Sequence, residues 1–252
     1  MLRNELVYFF AALRFFTRLP VPAWIGHADD QLARAPRYLP LVGVLVGLVG
    51  GAATLAASFV LPVSIAVILG MAATLLATGA FHEDGFADAC DGFGGGWDKA
   101  RVLAIMKDSR LGSYGAIGIA LLLLAKWNAL MEMEPEFLLP ALVTGHAASR
   151  LAAVSLMGFL DYAREDDSAK AKPLASRLGG GSLAVAALFG IAPCVLLPLP
   201  EAAAALAAAA LVAIVAARYF ARRIGGYTGD CLGATQQAAE LAFYLGLLCD
   251  FS

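Results

Sequence analysis

Charge is what this chain has least of. Only 15% of its 252 residues are Asp, Glu, Lys or Arg, against about 25% in an average soluble domain. From Tyr38 to Phe81 there is no charged residue and no histidine. Cysteine is scarce as well. Cys90, Cys194, Cys231 and Cys249 form no CxxC pair and follow no regular spacing, which excludes the usual signatures of a zinc site or a disulfide framework; they read as small apolar fillers. A net charge of -2 and a pI near 5.9 leave no electrostatic case for nucleic acid as a partner. Low-complexity linkers and convincing internal repeats are also missing. What is present in excess is apolar surface: 60% apolar residues, 26 glycines and a mean hydropathy of +0.75. That excludes disorder, and it exceeds what a core of this length can bury. The solvent it implies is a lipid bilayer.

The charge-free run is interrupted only by Pro62 near its middle, so it reads as two spans, since about 20 apolar residues cross the hydrocarbon layer. Further apolar segments lie near 113–131, 137–157, 182–198 and 201–217, and a shorter one at 236–250 carries Glu240. The expected fold is all-α: a polytopic integral membrane helix bundle of six to seven transmembrane helices. The stretch NELVYFFAALRFFTRLPVP is too charged, at Glu5 and Arg14, for the apolar core of a signal peptide. Leu6, Phe9, Phe10, Leu13, Phe16 and Thr17 fall near helical spacing, which predicts an N-terminal interfacial amphipathic helix.

Sixteen of the eighteen Lys and Arg residues fall before residue 38 or in the segments 82–110, 158–181 and 218–223. All of these lie on one side of a seven-span layout. By the positive-inside rule the N-terminal segment 1–37 and the loops 82–112, 158–181 and 218–235 are expected on the cytoplasmic side. The other two cations, Lys126 and Arg150, fall inside predicted spans.

The loop FHEDGFADACDGFGGGWDKARVLAIMKDSRLGSYG holds most of the chemistry. Asp84, Asp88 and Asp91 are spaced by four and three residues, which puts three carboxylates on one face if the piece is helical. One reading is a solvated acidic helix end. The other is a site where a hard divalent cation, Mg²⁺ or Mn²⁺, supplies the compensating charge; Gly85, Gly92 and Gly94 to Gly96, which suit close approach of a ligand, favour it. Lys107 and Arg110, three residues apart, suit a phosphate held between cations and a metal, and serve equally as positive-inside anchors. Asp108 and Ser109 are placed to cap the next helix. GGYTGDCLGA, residues 225 to 234, adds a glycine-rich piece with Thr228 and Asp230.

Within the spans, His146 and Arg150 share a helical face. Arg150 either lines a cavity with that histidine or snorkels to the interface. Lys126 lies deeper and invites an intramembrane carboxylate such as Glu240. His27 and His82 sit singly near interfaces and read, on spacing alone, as ordinary hydrogen-bonding groups. The Ala-rich stretch 202–210 suits close helix packing. Such helices pack as well on lipid as on a second copy, so homo-oligomerisation stays open.

HEDGFADACDGF, IMKDSRLGSYG and GGYTGDCLGA, with FFTRLPVP near the N-terminus, together resemble the motifs of the cobalamin synthase (adenosylcobinamide-GDP ribazoletransferase) family, in order and over nearly the whole chain. Phe86 stands where that family commonly has Leu, and Glu83 where it is often apolar. The resemblance implies a single membrane-embedded transferase domain over 1–252 in the bacterial inner membrane. It would join adenosylcobinamide-GDP to α-ribazole or its 5'-phosphate, give adenosylcobalamin or its phosphate and release GMP, with Mg²⁺ required. It implies that Asp84, Asp88 and Asp91 hold the metal, one of them, with Asp91 a candidate, acting instead as general base, and that Lys107 and Arg110 stabilise phosphate charge. His82, Asp108, Arg150, Thr228 and Asp230 are the candidate substrate-binding residues.

Two other readings compete. A CDP-alcohol phosphotransferase also sets aspartates at the end of a membrane helix, but its pattern has Ala-Arg after the Asp-Gly, where this chain has Phe86 and Ala87. A cation-coupled transporter would place carboxylates near the bilayer midplane, whereas nearly all of these cluster between spans.

Overall fold

The charge-free run folds as the expected pair of helices, α3 (Leu39–Ser58) and α4 (Val63–Thr78), separated at Pro62. The computed structural model describes residues 2–25, 29–164, 175 and 177–249; His27 and positions 165–174 and 176 of the expected loop 158–181 lie outside them. Before the pair come α1 (Leu2–Phe16), α2 (Asp29–Arg34) and a 3-10 turn, Ala35–Tyr38. After it come α5 (Phe81–Gly95), α6 (Lys99–Met106), α7 (Ser113–Met131), α8 (Pro135–Phe159), α9 (Gly180–Ile191) with a 3-10 extension (Ala192–Leu196), α10 (Leu199–Ile224) and α11 (Gly229–Leu247). Among the described residues the only β feature is an isolated bridge between Tyr162 and Tyr227.

The all-α membrane class stands. Four continuous helical stretches are long and apolar enough to cross a bilayer: Gln31–Ser58, Ser113–Met131, Pro135–Phe159 and Leu199–Ile224. A fifth results if α4 and α5, bent by 89°, are counted together. Of the further segments expected to span, the apolar helical stretch Gly180–Leu196 is 17 residues long and α11 carries Glu240. Consecutive left-handed residues produce the bend, Gly79 (φ 66°) and Ala80 (φ 55°). For alanine that conformation costs roughly 1–2 kcal/mol, so the surrounding packing must hold it. Carrying Glu83, Asp84, Asp88 and Asp91 along its length, α5 turns away from α4 and packs on α7 and α11.

Two expectations are corrected. The segment 82–112, expected as a loop, is mostly α5 and α6, and in 218–235 only residues 225 to 228 separate α10 from α11. Gly85, Gly92, Gly94 and Gly95 lie inside α5, whereas Gly225, left-handed at φ 77°, ends α10. The N-terminal segment does form a helix, but its buried side is Tyr8, Ala11, Ala12, Leu13 and Phe16, packed into the bundle, while Leu6 is 52% exposed.

At the centre lies α8, buried along most of its length and packed on α3, α9, α10 and α11. Large apolar side chains point outward instead: Leu48 and Leu55 on α3, Ile68 and Leu76 on α4, Ile117 and Leu121 on α7, Leu211 and Val215 on α10. Stripes of this kind exceed what a soluble monomer exposes and suit contact with lipid.

The interior is not wholly apolar. The Lys126 ammonium donates to Glu240 at 2.8 Å and to Gln237 at 2.5 Å, the pairing that the depth of Lys126 suggests. Glu240 also lies 3.1 Å from His146 Nδ1 and accepts from Gln236 at 2.6 Å. Arg150 is 1% exposed and bonds the His146 carbonyl at 2.9 Å, so it does not snorkel. Gln237 in turn donates to Glu83, on the first turn of α5, at 2.7 Å. Glu240 and Gln237 of α11 thus tie α5, α7 and α8 together, with Glu83, Lys126 and His146 as their partners.

Candidate active site

Three aspartates share one face of α5, as the four-and-three spacing requires, but their surroundings differ. Asp84 is exposed, Asp88 half-buried and Asp91 buried. The Asp91 carboxylate accepts the backbone N–H of Gly112 at 2.7 Å and that of Gly115 at 2.9 Å, just before and inside the first turn of α7. Those N–H groups have no partner within the helix, and a carboxylate there also meets the positive end of the helix dipole. A Cβ on Gly112 or Gly115 would run into the carboxylate, so both glycines are needed. The carboxylate that the sequence offers as metal ligand or base therefore serves as an anchor between α5 and α7.

The fourth carboxylate comes from the third motif. Gly85 of α5 meets α11 so closely that a Cβ there would stand 3.1 Å from Asp230 Cα and 3.4 Å from Gly233 Cα. Where the two glycines cross, Asp230 is brought beside Asp84 and Asp88. Thr228 caps α11, its hydroxyl oxygen accepting from the Cys231 N–H at 3.2 Å; it is fully buried, which fits a structural role. Tyr227 N–H donates to the Asp161 carbonyl at 3.0 Å and the Ala163 N–H to the Tyr227 carbonyl at 2.8 Å. That short lacing carries Arg164 onto Asp230, with 2.7 Å between Nη2 and Oδ2.

Negative charge is crowded here. Burial, followed by the charges of Asp230, Asp84 and Asp91, pushes the Asp88 carboxyl up to about 7, against a weaker opposing pull from Arg164. Burial likewise raises Asp230, with Arg164 opposing. Among the described residues no three His, Cys, Asp or Glu side chains are grouped closely enough to hold a metal ion by themselves.

Other predicted residues are scattered. Lys107 follows α6 and, with Lys99 and Arg164, lines an open pocket beside Asp230. Arg110 and Asp108 form a local ion pair at 2.6 Å on the surface, with 86% of the Arg110 side chain exposed, so neither reaches the aspartates. His82 is buried and stacked on Phe16, and Arg150 lies in the bundle interior. Local sequence marks Arg164 and Lys99 only as positive charges; what gives Arg164 a role is the backbone pairing of 161–163 with Tyr227, which no local pattern signals.

Outward apolar stripes around a helical core, with carboxylates and cations gathered where helices end, define a helical membrane enzyme. The chain belongs to the cobalamin-5-phosphate synthase family, whose model it matches over residues 8–248. It is similar to the adenosylcobinamide-GDP ribazoletransferase of Shewanella frigidimarina, 46% identical over 97% of this chain and 95% of the relative. Proteins of the same name resemble it in Leptothrix cholodnii, 48% identical over 97% and 96%, and in Ralstonia nicotianae, 51% identical over 91% and 90%. No solved structure matches the chain. It is accordingly an enzyme of cobalamin synthesis, as its motifs imply.

Proposed function

We propose that the chain transfers the adenosylcobinamide-phosphate group from adenosylcobinamide-GDP to α-ribazole or its 5'-phosphate, giving adenosylcobalamin or its phosphate and GMP. The single observation that carries the reading is the meeting of α5 and α11 at Gly85 and Gly233, which gathers Asp84, Asp88 and Asp230 around one place. In the reaction an acceptor ribose hydroxyl forms a bond to the cobinamide-linked phosphorus. The phosphorus-to-bridging-oxygen bond breaks, GMP leaves with that oxygen, and the hydroxyl proton is released. A displacement of this kind needs positioning and charge compensation more than covalent catalysis.

The residues fit Mg²⁺. Oxygen donors suit this hard ion, and it is commonly held by one or two carboxylates while substrate phosphates and waters complete its shell, so a site short of three close protein ligands is the expected form. The carboxyl of Asp88, raised by its acidic neighbours, marks where a cation relieves charge. Asp84 and Asp88, with Asp230 adjoining, would hold the ion, and bound there it would neutralise charge on the diphosphate. Arg164 orients Asp230, and Lys107 adds positive charge beside it. Both oxygens of Asp91 are taken, which argues against proton transfer by that residue. Arg110, exposed and paired with Asp108, reaches the site only by leaving that partner.

Sixteen of eighteen cations lie in segments on one side of the sequence layout, which supports placing this end of the bundle in the cytoplasm, at the inner membrane, where nucleotide substrates are found. The test is GMP release by the lipid-reconstituted protein given adenosylcobinamide-GDP, α-ribazole 5'-phosphate and Mg²⁺, beside an EDTA control and a CDP-diacylglycerol comparison. Metal-dependent GMP release with formation of cobalamin phosphate is the expected result. CMP from the lipid nucleotide would transfer the reading to the CDP-alcohol class, and silence with both donors from folded protein would return it to a transporter.

A further inference from the structure

Beside the carboxylates, on the other side of Arg164, lies an open pocket of about 650 Å³ lined by Lys99, Ala100, Leu103, Ala104, Lys107, Ala163 and Arg164. Its volume falls in the range of small-molecule sites. Three of its seven lining residues are cations and none is acidic, in a chain whose net charge is negative. The cations have a common cause in the fold. Lys99 and Leu103 on α6 and Lys107, which follows it, recur at helical spacing along one side, and Arg164 closes the opposite wall because its segment is laced to Tyr227. Between them the small side chains of Ala100, Ala104 and Ala163, with Leu103, leave an apolar floor.

That arrangement has two halves with different chemistry. The cations suit a phosphate dianion, which forms charge-assisted hydrogen bonds with Lys and Arg. The apolar floor suits a planar base lying flat, since an aromatic ring gains by covering apolar surface. Arg164 is the hinge of the arrangement: it lines the pocket and holds Asp230 at 2.7 Å, so a phosphate seated among the cations is one side chain away from the carboxylates. A group bound here is thus placed to leave from a reaction occurring at Asp84 and Asp88.

We propose that this pocket receives the nucleoside monophosphate half of the donor, its phosphate among Lys99, Lys107 and Arg164 and its base over Ala100 and Ala104, and so holds GMP as the leaving group. This rests on the reaction proposed above, and it names Lys99, Lys107 and Arg164 as the residues that bind the nucleotide end.

The probe is radiolabelled GMP, measured by equilibrium dialysis against the lipid-reconstituted protein with neither metal nor donor present. Lys99→Gln removes a cation from an exposed position, and Ala104→Trp fills the floor from another exposed position, so neither threatens folding. Each is expected to weaken GMP binding roughly tenfold, Lys99→Gln by losing a hydrogen bond to a charged group and Ala104→Trp by occupying the place of the base, and to raise the KM for the nucleotide donor. Arg101→Gln, on α6 but outside the pocket lining, is expected to leave GMP binding within twofold. Wild-type protein that fails to bind GMP, or GMP binding unchanged in both pocket variants, overturns the assignment. Turnover separates the two claims: if wild-type protein releases GMP while both variants bind it normally, the pocket falls and the reaction stands; if no product forms but both variants lose GMP, the pocket stands and the reaction falls.

Discussion

Asp91 and Gly112 are joined across 21 positions by a 2.7 Å hydrogen bond from the Gly112 N–H to the carboxylate, whose other oxygen accepts from Gly115. The bond separates Asp91 from the aspartates it resembles in the motif. Asp91→Asn replaces one accepting oxygen by an NH₂ group facing a backbone donor and should destabilise the fold by about 1–3 kcal/mol. Asp84, exposed at the other end of the same helix, should behave in the opposite way: Asp84→Asn abolishes turnover and leaves the thermal midpoint in detergent unchanged. A folded Asp84→Asn protein working at wild-type rate would remove that residue from the mechanism.

Gly85 is the contact on which the site closes. A methyl group there would meet Asp230 Cα at 3.1 Å, and the backbone it meets cannot swing aside. Gly85→Val should therefore push α5 off α11 and part Asp84 from Asp230. Displacements of about 1 Å at reacting groups can lower rates by about 100-fold, so turnover should fall by that order while helical circular dichroism is retained. Loss of helix along with activity would mean that the contact serves folding rather than alignment.

Crowded carboxylates give a pH signature. The Asp88 carboxyl lies at about 7 in the metal-free fold, above its ordinary 3.8, so the protonated form is favoured. Its contribution to stability is fully present below about pH 4 and is lost as pH rises through 7. A divalent cation binds the ionised form and offsets that loss. Mg²⁺ should therefore raise the thermal midpoint clearly at pH 8 and little at pH 5.5, with Asp88→Asn abolishing the difference. An equal Mg²⁺ shift at both pH values would place cation binding elsewhere.

Much of this was legible in the sequence, and the exceptions share a cause. A carboxylate at every third or fourth position marks a helix face wherever it occurs, and lysine at the depth of Lys126 demands an acid, so α5's shared face and the Lys126–Glu240 pair follow from local rules. The turn at Gly79 and Ala80 does not, because alanine carries no left-handed signal; the bend of 89° between α4 and α5 leaves no mark in hydropathy. Nor does spacing reveal that Asp91 faces backbone N–H groups while Asp84 faces solvent, since both occupy the same helix face. Asp230 and Arg164 belong to the site through contacts between distant segments, and Glu83, at a position where the family is often apolar, is explained only by Gln237 reaching it from α11.

The buried pair makes a final prediction. Lys126 and Glu240, both about 5% exposed or less, stabilise the bundle only while each has the other, since an uncompensated buried charge is far more costly than a buried pair. Glu240→Gln leaves the Lys126 ammonium with uncharged partners and should destabilise the protein by about 3–5 kcal/mol. Removing the cation as well, in Lys126→Met with Glu240→Gln, should recover part of that loss, a coupling measurable by a double-mutant cycle of denaturant unfolding in detergent. His146 and Gln236 also contact Glu240, so recovery should be incomplete. Strictly additive effects would show that the two charges do not act as a pair.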